Sequence, residues 1–248
     1  MNKISIIIPV LNEANTIANL LHYLTANASS ENIADIIVVD GGSSDGTKNI
    51  VSSFMSSRTQ SRPHNFSTTF EETAIQLLTS AKGRAKQMNF GSKHATGNIF
   101  YFLHADSFPP KDFNKLIIEK VEKGHEAGCF RMQFNNDHWW LKLAGWLTQF
   151  NWKACRGGDQ SLFITKSLFS KTGGYNENYS IYEDNDLIAK LYKLKQFTVI
   201  QRWLITSARR YNNNGIWKLQ YHFIVIHLKR RFGASAEDLH AYYRKHIL

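Results

Sequence analysis

Two apolar runs, each leading into an aspartate, constrain this chain most. The first is Asp35-Ile36-Ile37-Val38-Val39-Asp40 and the second is Phe100-Tyr101-Phe102-Leu103-His104-Ala105-Asp106-Ser107. Continuous apolar runs of this kind suit strands buried on both faces, as in a parallel sheet. Asp40 and Asp106 then fall at the carboxyl ends of their strands, on one edge of the sheet. That edge is where open α/β sheets bind ligands. A lone aspartate followed by Ser107 and Pro109-Pro110 would also start an ordinary turn. The repetition of the arrangement is what argues for a site.

Taken in order, the chain alternates strand and helix patterns. Residues 4–10 read as an isoleucine-rich strand, and 13–26 as a helix with Ile17, Leu20, Leu21 and Leu24 in one stripe. After Asp40 comes the turn Gly41-Gly42-Ser43-Ser44-Asp45-Gly46-Thr47, in which Ser44 or Asp45 would cap a helix over 47–55. Residues 57–73 are polar and read as an exposed loop, and 74–78 as a short strand. Strand-turn-helix twice over predicts a parallel sheet with crossover helices. Further on, 83–89 opens a helix, 111–122 is a helix and 127–134 a strand. Residues 139–152 hold Trp139, Trp140, Trp146 and Trp152 on a helix or helix pair. Core packing is the expectation for most of these rings, and a wall that stacks on a sugar or lipid is the alternative.

Glycine turns follow at 156–160 and at Gly173-Gly174-Tyr175. Tyr182-Glu183-Asp184-Asn185-Asp186 opens a helix to 194 with three carboxylates, more than helix electrostatics requires. A strand over 197–205 and tail helices over 216–231 and 236–247 complete the pattern. In the first tail helix Trp217, Tyr221, Ile224 and Leu228 form an apolar stripe, and Ser235 would cap the second helix. The stripe would dock on a membrane surface or partner, or pack on the domain or a second subunit.

The chain has 248 residues and a formal net charge of +10, with the excess cations late in the sequence. That balance suits an anionic partner: a nucleic acid, a membrane surface or a phosphorylated small molecule. Cys129 and Cys155 make neither a disulfide framework nor metal-ligand spacing. The first residues lack a signal-peptide pattern, and no run reaches the ~18 apolar residues of a membrane span. A cytoplasmic protein is expected, with contact at the inner membrane face left open.

Arg84 and Lys86 lie between the two aspartates in sequence and are expected to face the same crevice. Cations at a helix start oppose the macrodipole unless an anion binds there; the plainer reading is a solvated basic face. Carboxylates, cations and a glycine turn together describe a site for a nucleotide diphosphate with a divalent metal. Neither a Gly-x-Gly-x-x-Gly spacing nor a P-loop is present.

The stretches Ile6-Ile7-Ile8-Pro9-Val10-Leu11-Asn12-Glu13 and Val38-Val39-Asp40-Gly41-Gly42-Ser43-Ser44-Asp45-Gly46-Thr47 resemble the opening of family 2 glycosyltransferases with the GT-A fold. The likeness continues through 83–89, Asp106, the Gly157-Gly158-Asp159-Gln160 turn and Glu183-Asp184, over about residues 3–210. The stretches at 83–89, 103–106 and 157–160 are most similar to a small bacterial subgroup linked to arsenosugar biosynthesis. The resemblance implies an α/β GT-A domain over 1–210, a mostly parallel central sheet flanked by helices, and a helical extension over 211–248. That extension would pack on the domain, a second copy or a membrane.

It implies an inverting transfer of a sugar from a nucleotide-diphosphate donor to a hydroxyl acceptor, with Mg²⁺ or Mn²⁺ as cofactor. By position, Pro9, Asn12, Glu13, Asp40, Gly42, Arg84, Lys86, His104, Ala105 and Asp106 would bind the donor, and Asp106 the metal. Asp184 would be the catalytic base. Gly158, Asp159, Gln160 and Glu183 would line the acceptor side, and Glu183 and Asp186 would cap their helix or orient acceptor hydroxyls. His104 stands where the family's metal motif has its first aspartate; a neutral imidazole can ligate Mn²⁺ or bond a ribose but brings no negative charge. A nucleic acid is not expected among the partners. The competing readings are a nucleotidyltransferase, whose first loop usually carries glycine and lysine, and a non-enzymatic binder of anionic surfaces. The loop Val10-Leu11-Asn12-Glu13-Ala14-Asn15 has neither glycine nor lysine.

Overall fold

The computed structural model describes residues 1–60, 74–157 and 160–247. The first half runs β1 (Ile4–Val10), α1 (Ile17–Asn27), β2 (Ile33–Asp40), α2 (Thr47–Gln60), β3 (Ala74–Thr79), α3 (Arg84–His94) and β4 (Ile99–Phe102). Then come β5 (Ser107–Phe108), α4 (Phe113–Glu122), β6 (Ala127–Phe134), α5 (Trp139–Leu147), β7 (Leu162–Thr165) and α6 (Lys166–Thr172). The chain continues through α7 (Glu183–Lys193), β8 (Phe197–Thr206), α8 (Arg209–Asn214), α9 (Ile216–Arg231) and α10 (Ala236–His246). Among the described residues the strands form one sheet in the order β3-β2-β1-β4-β7-β6-β8-β5. The pairs β1–β2, β2–β3, β1–β4 and β6–β8 are parallel, and β7 and β5 run antiparallel to their neighbours.

Side chains alternate across the buried strands, so each strand feeds two apolar layers. Ile4, Ile6, Ile8 and Tyr101 join Leu20, Phe113 and Leu219 on one face, while Ile7, Val39, Phe100 and Phe102 join Met88, Phe169 and Leu187 on the other. Helix α3 lies close on β1 and β2 because Gly91 has no side chain. A Cβ there would sit 2.6 Å from the Ile7 methyl and 3.0 Å from that of Val39.

This order also decides where a ligand can bind. The chain lays down β1, β2 and β3 in one direction and then returns to the other side of β1 with β4. The loops leaving β1 and β4 therefore diverge at a topological switch point, the usual ligand crevice of such sheets.

Several expectations are corrected. β4 ends at Phe102, and Asp106 sits in a turn closed by Ser107 N donating to His104 O at 3.1 Å. The chain then leaves β1 so that the two residues of β5 can pair with β8. Helix α2 runs on to Gln60, past the expected end at 55; residues 61–73 of the expected loop lie outside the described residues. Helix α1 starts only at Ile17, because residues 13–16 form a turn closed on Glu13 O. The short helices α6 and α8 were not expected. Core packing fails for Trp139, Trp146 and Trp152, which are 60%, 48% and 60% exposed. The nine-residue α5 buries only Leu141 and Gly145, through which it lies on β6, and Trp139 packs on Trp217 of α9, 5.8 Å between ring centroids, outside the core.

The tail helices share the first apolar layer: Leu219, Ile226, Leu239 and Ile247 belong to the same cluster as Ile4 and Ile6. The contact runs through Leu219, His222 and Ile226 of α9, while the stripe of Trp217, Tyr221, Ile224 and Leu228 is about half exposed. Ser235 caps α10 in a reciprocal capping box with Asp238. Removing residues 215–248 should expose this layer and give insoluble protein. Burying one Leu or Ile side chain contributes about 1.5–3 kcal/mol. Four such losses reach on the order of 10 kcal/mol, as large as the whole stability of a typical domain. A soluble truncated protein that melts cooperatively would overturn this.

Candidate active site

The loops after β1 and β2 are tied together side chain to backbone. Asn12, in the left-handed region at φ 57°, donates its N–H to Ser43 Oγ at 2.9 Å and accepts from Ser44 N through Oδ1 at 2.9 Å. Glu13 N donates to Thr47 Oγ1 and Ala14 N to Asp45 Oδ2. The Thr47 hydroxyl and the Ala14 amide hold the Asp45 carboxyl below the usual range. Asp40 is fully buried and accepts from Gly42 N at 2.9 Å and Ser43 N at 3.1 Å. Gly42 supplies the φ of +95° that this turn needs. Asp40 thus shapes the loop around it, and Pro9 stands beside Val39 in the ladder.

Gln87 of α3 is a residue the sequence reading passed over, although it lies within the quoted 83–89 stretch. Its buried amide donates to Val10 O at 2.8 Å and Val39 O at 2.7 Å, at the very ends of β1 and β2. A Cβ on Gly41 would meet that amide at 2.9 Å, so the glycine makes room for it. Gln87→Leu should cost about 1–3 kcal/mol, the usual penalty for a buried acceptor losing its donor. Urea denaturation checks this; an unchanged midpoint would refute the role.

On the other side of the switch point, the turn after β4 carries half-buried His104, buried Ala105 and half-buried Asp106. Asp106 O accepts from Ser207 N at 3.2 Å, which fixes this turn against the start of α8. Arg209, at that start, ion-pairs with the Glu13 carboxylate at 2.9 Å. Its hydrogen bond to Glu13, and also the charges of Glu13 and Asp106, hold the guanidinium above its usual pKa. In the sequence Arg209 is one of the late cations, and nothing local connects it with a glutamate 196 residues away.

The third group forms across α3 and α7. Arg84 Nε lies 2.9 Å from Glu183 Oε1 and Nη1 lies 3.3 Å from Asp184 Oδ2. The Glu183 contact is an ion pair without hydrogen-bond alignment, and both Glu183 oxygens are buried with no hydrogen-bond donor. Asp184 is 7% exposed and Glu183 1%. Glu183 makes no helix cap, and Asp186 instead pairs with Lys190 at 3.3 Å. Below them Tyr175 is buried; burial, then the charges of Asp184 and Glu183, push its phenol well above the usual value. Asn89 fixes that turn: it donates to Tyr175 O at 2.8 Å and accepts from Tyr175 N at 3.0 Å. One helix, α3, therefore supports the strand ends through Gln87 and the carboxylates through Arg84 and Asn89.

The expected residues are thus divided. Asn12, Glu13, Asp40 and Gly42 form one loop pair, and Asp106 stands by Arg209. Arg84 joins Glu183 and Asp184, and Lys86 is exposed on the first turn of α3. Gln160 is buried, bonding Cys155 O through its amide. Gly158 and Asp159 lie outside the described residues. Among the described residues no three His, Cys, Asp or Glu side chains converge on one point. The donor set at the turn is the Asp106 carboxylate with the His104 imidazole. Mg²⁺ is commonly held by one or two carboxylates together with substrate phosphates. This set therefore fits a cation that binds jointly with a diphosphate.

Beside the Arg84 cluster, a cleft of about 510 Å³ opens between α5 and α9, with Arg84, Glu183, Asp184 and Gln160 in its lining. A mostly parallel sheet with a switch point between β1 and β4, together with a cleft lined by paired carboxylates, is the architecture of a GT-A-like domain. Residues 5–175 match the glycosyl transferase family 2 domain, and the chain belongs to that family. It is similar to glycosyltransferase AglE of Haloferax volcanii, 32% identical over 118 residues, which cover 48% of this chain and 35% of that protein. It is 23% identical over 239 residues to the undecaprenyl-phosphate 4-deoxy-4-formamido-L-arabinose transferase of Proteus mirabilis, covering 95% of this chain and 63% of the other. The chain thus spans less than two thirds of either relative's length. The mannosyltransferase PcManGT of Pyrobaculum calidifontis, solved with GDP-Man and Mn²⁺, shares the fold with a TM-score of 0.65. That match covers 98% of this chain and 70% of the other at 17% identity.

Proposed function

We propose that this protein transfers a sugar from a nucleotide-diphosphate donor to an acceptor hydroxyl, with inversion at the anomeric carbon. The observation that carries this is Asp184: a carboxylate held by Arg84 at 3.3 Å in the lining of a cleft large enough for an acceptor. In the reaction the acceptor oxygen bonds to the anomeric carbon as the bond from that carbon to the diphosphate oxygen breaks. The hydroxyl proton passes to Asp184. Glu183 keeps Arg84 oriented, and Arg84 keeps Asp184 from turning away.

The donor's nucleotide would lie over the loops after β1 and β2, with Asp40 ordering the second of them. A divalent cation held by Asp106, with His104 beside it, would supply positive charge at the leaving diphosphate. Arg209 adds a further cation at the same turn. A binding-only role on anionic surfaces would leave the buried carboxylates at 183 and 184 without a use. The nucleotide-sugar and metal in the PcManGT complex are compatible with this reading.

The test is release of free nucleoside diphosphate from UDP-, GDP- and dTDP-sugars, with and without Mn²⁺, alongside thermal shift. The absence of both release and a thermal shift with every one of these donors would overturn the reading.

No helix among the described residues is long and apolar enough to cross a membrane. The end of α9 is nevertheless suited to a membrane surface: Lys229, Arg230 and Arg231 precede Phe232, which is 83% exposed. Each cation near an anionic surface contributes about 1 kcal/mol. The full-length protein should cosediment with anionic vesicles at low salt and separate from them at high salt. No sedimentation at low salt would remove this contact from the picture.

A further inference from the structure

The chain enters α7 in an unusual way. The residue before a helix normally lies in the extended region, and its side chain caps the first N–H groups. Tyr182 does neither: it sits in the left-handed region at φ 74° and ψ 2° and makes no side-chain cap bond. A side chain in that region crowds the following carbonyl oxygen. The other non-glycine residues with positive φ among the described residues are Asn12, Asp112 and Lys195. Asn and Asp visit the region most readily, and Lys195 is an exposed residue just past the end of α7, where left-handed residues commonly close a helix. Neither account covers Tyr182. Strain of this kind persists only where the surroundings hold it, and it clusters at functional sites.

Helix α9 supplies the hold. The ring of Tyr182 meets that of His227 edge-on, with centroids 5.2 Å apart at 64°. Tyr182 also lies 6.2 Å from the Tyr179 ring, over which the Arg230 guanidinium of α9 stands at 5.6 Å. Tyr182 O in turn accepts from Asp186 N at 3.1 Å, the hydrogen bond that opens α7. The residue whose ring meets α9 is thus the one from which α7 starts. Carboxylates in a first turn are ordinarily exposed to water. Glu183 and Asp184 are instead buried against Arg84 of α3.

We propose that Tyr182 is a positioning residue for the transfer. Braced on His227, it holds the left-handed entry that turns the first residues of α7 inward and aims Asp184 at the acceptor. This rests on the reading of Asp184 as the base of a glycosyl transfer. A base acts only within hydrogen-bond reach of the hydroxyl it deprotonates, and a misplacement of about 1 Å costs on the order of 100-fold in rate. The Tyr182 ring forms and breaks no bond; it acts through Asp184.

The test uses the full-length protein with water as the acceptor, because Tyr182 and His227 also line the cleft and could touch a larger one. Release of nucleoside diphosphate from UDP-, GDP- and dTDP-sugars gives kcat and KM, and calorimetry gives the UDP and GDP affinities. Hydrogen exchange over residues 180–187 reports how firmly the start of α7 is held. Tyr182→Gly takes the left-handed conformation without strain, so the protein should fold, but it has no ring to brace. His227→Ala removes the brace from an exposed position. Each should lower kcat by about tenfold or more, with KM and the nucleotide affinities at wild-type values. His227→Ala should also speed exchange over 180–187 by about tenfold. The double variant should lose no more than either single one, since both remove the same contact. Tyr182→Phe keeps the ring and should stay within about threefold of wild type in kcat.

A wild-type kcat in Tyr182→Gly or His227→Ala, an equal loss in Tyr182→Phe, a parallel loss of nucleotide affinity, or unchanged exchange in His227→Ala overturns the inference. If the wild type releases no nucleoside diphosphate from any of the sugars, it is the transfer reading that fails. Exchange then decides the brace alone: faster in His227→Ala, the brace stands, and unchanged, it falls.

Discussion

Asp184→Asn should reduce transfer by roughly 10²–10⁴-fold, the contribution usual for a general base. The amide keeps the size of the carboxylate and an oxygen that can still accept from Arg84 Nη1, so the packing around α7 should survive. Arg84 also stays paired with Glu183 at 2.9 Å. On the proposed reading the donor lies over the loops at the carboxyl ends of β1 and β2 and the turn after β4, so affinity for the nucleoside diphosphate should stay near wild type. Initial rates with a working acceptor, read beside calorimetry of the donor, separate the two effects. A rate within about threefold of wild type is far below the loss of a base and would reassign Asp184. Glu183 is a control of a different kind. It is 1% exposed with both oxygens lacking a hydrogen-bond donor, so Glu183→Gln should alter how firmly Arg84 is held as well as the rate.

Asp106→Asn should remove the metal dependence of donor binding. The carboxylate sits in the turn between β4 and β5, two residues after His104, and its charge acts on the Arg209 guanidinium. A single carboxylate with an imidazole leaves most of a cation's ligands to the diphosphate, so losing the one formal charge should be severe. Even outer-shell partners of a metal typically contribute roughly 10–100-fold in affinity. The loss here should be at least that large in a titration of UDP or GDP with Mn²⁺. The variant should also leave Arg209 paired with Glu13 alone, so some metal-independent binding of the diphosphate should persist. Unchanged, metal-dependent affinity would eliminate this role for Asp106.

Much of the architecture was legible along the chain because it follows from local rules. Ile4 to Val10 and Ile36 to Val39 are apolar without interruption, so they had to lie between two layers, and parallel pairing follows from the helices between them. The capping of α10 by Ser235 and the boundaries of β6 were visible in residue types alone. So was the side of the sheet at which Asp40 ends β2 and the turn bearing Asp106 follows β4, since strand direction is a property of sequence order.

What those residues touch was decided elsewhere. Arg84 read as a donor-side cation, yet it lies between Glu183 and Asp184, about 100 positions away in sequence, because α3 and α7 pack on the same face of the sheet. Gln87 looked like one polar residue in a helix and turned out to hold the Val10 and Val39 carbonyls at the carboxyl ends of β1 and β2. Arg209 looked like part of a basic tail and turned out to stand against Glu13 and Asp106. The outward tryptophans of α5 and the two-sided α9 gave a helical period but no direction, since periodicity fixes which side chains share a face and not what that face meets. Only the packing of α9 across the first layer turned its outer stripe into the wall of a cleft. Ion pairs, clefts and shared supports are long-range contacts; they exist once the sheet order has brought distant segments together, and no window along the chain contains them.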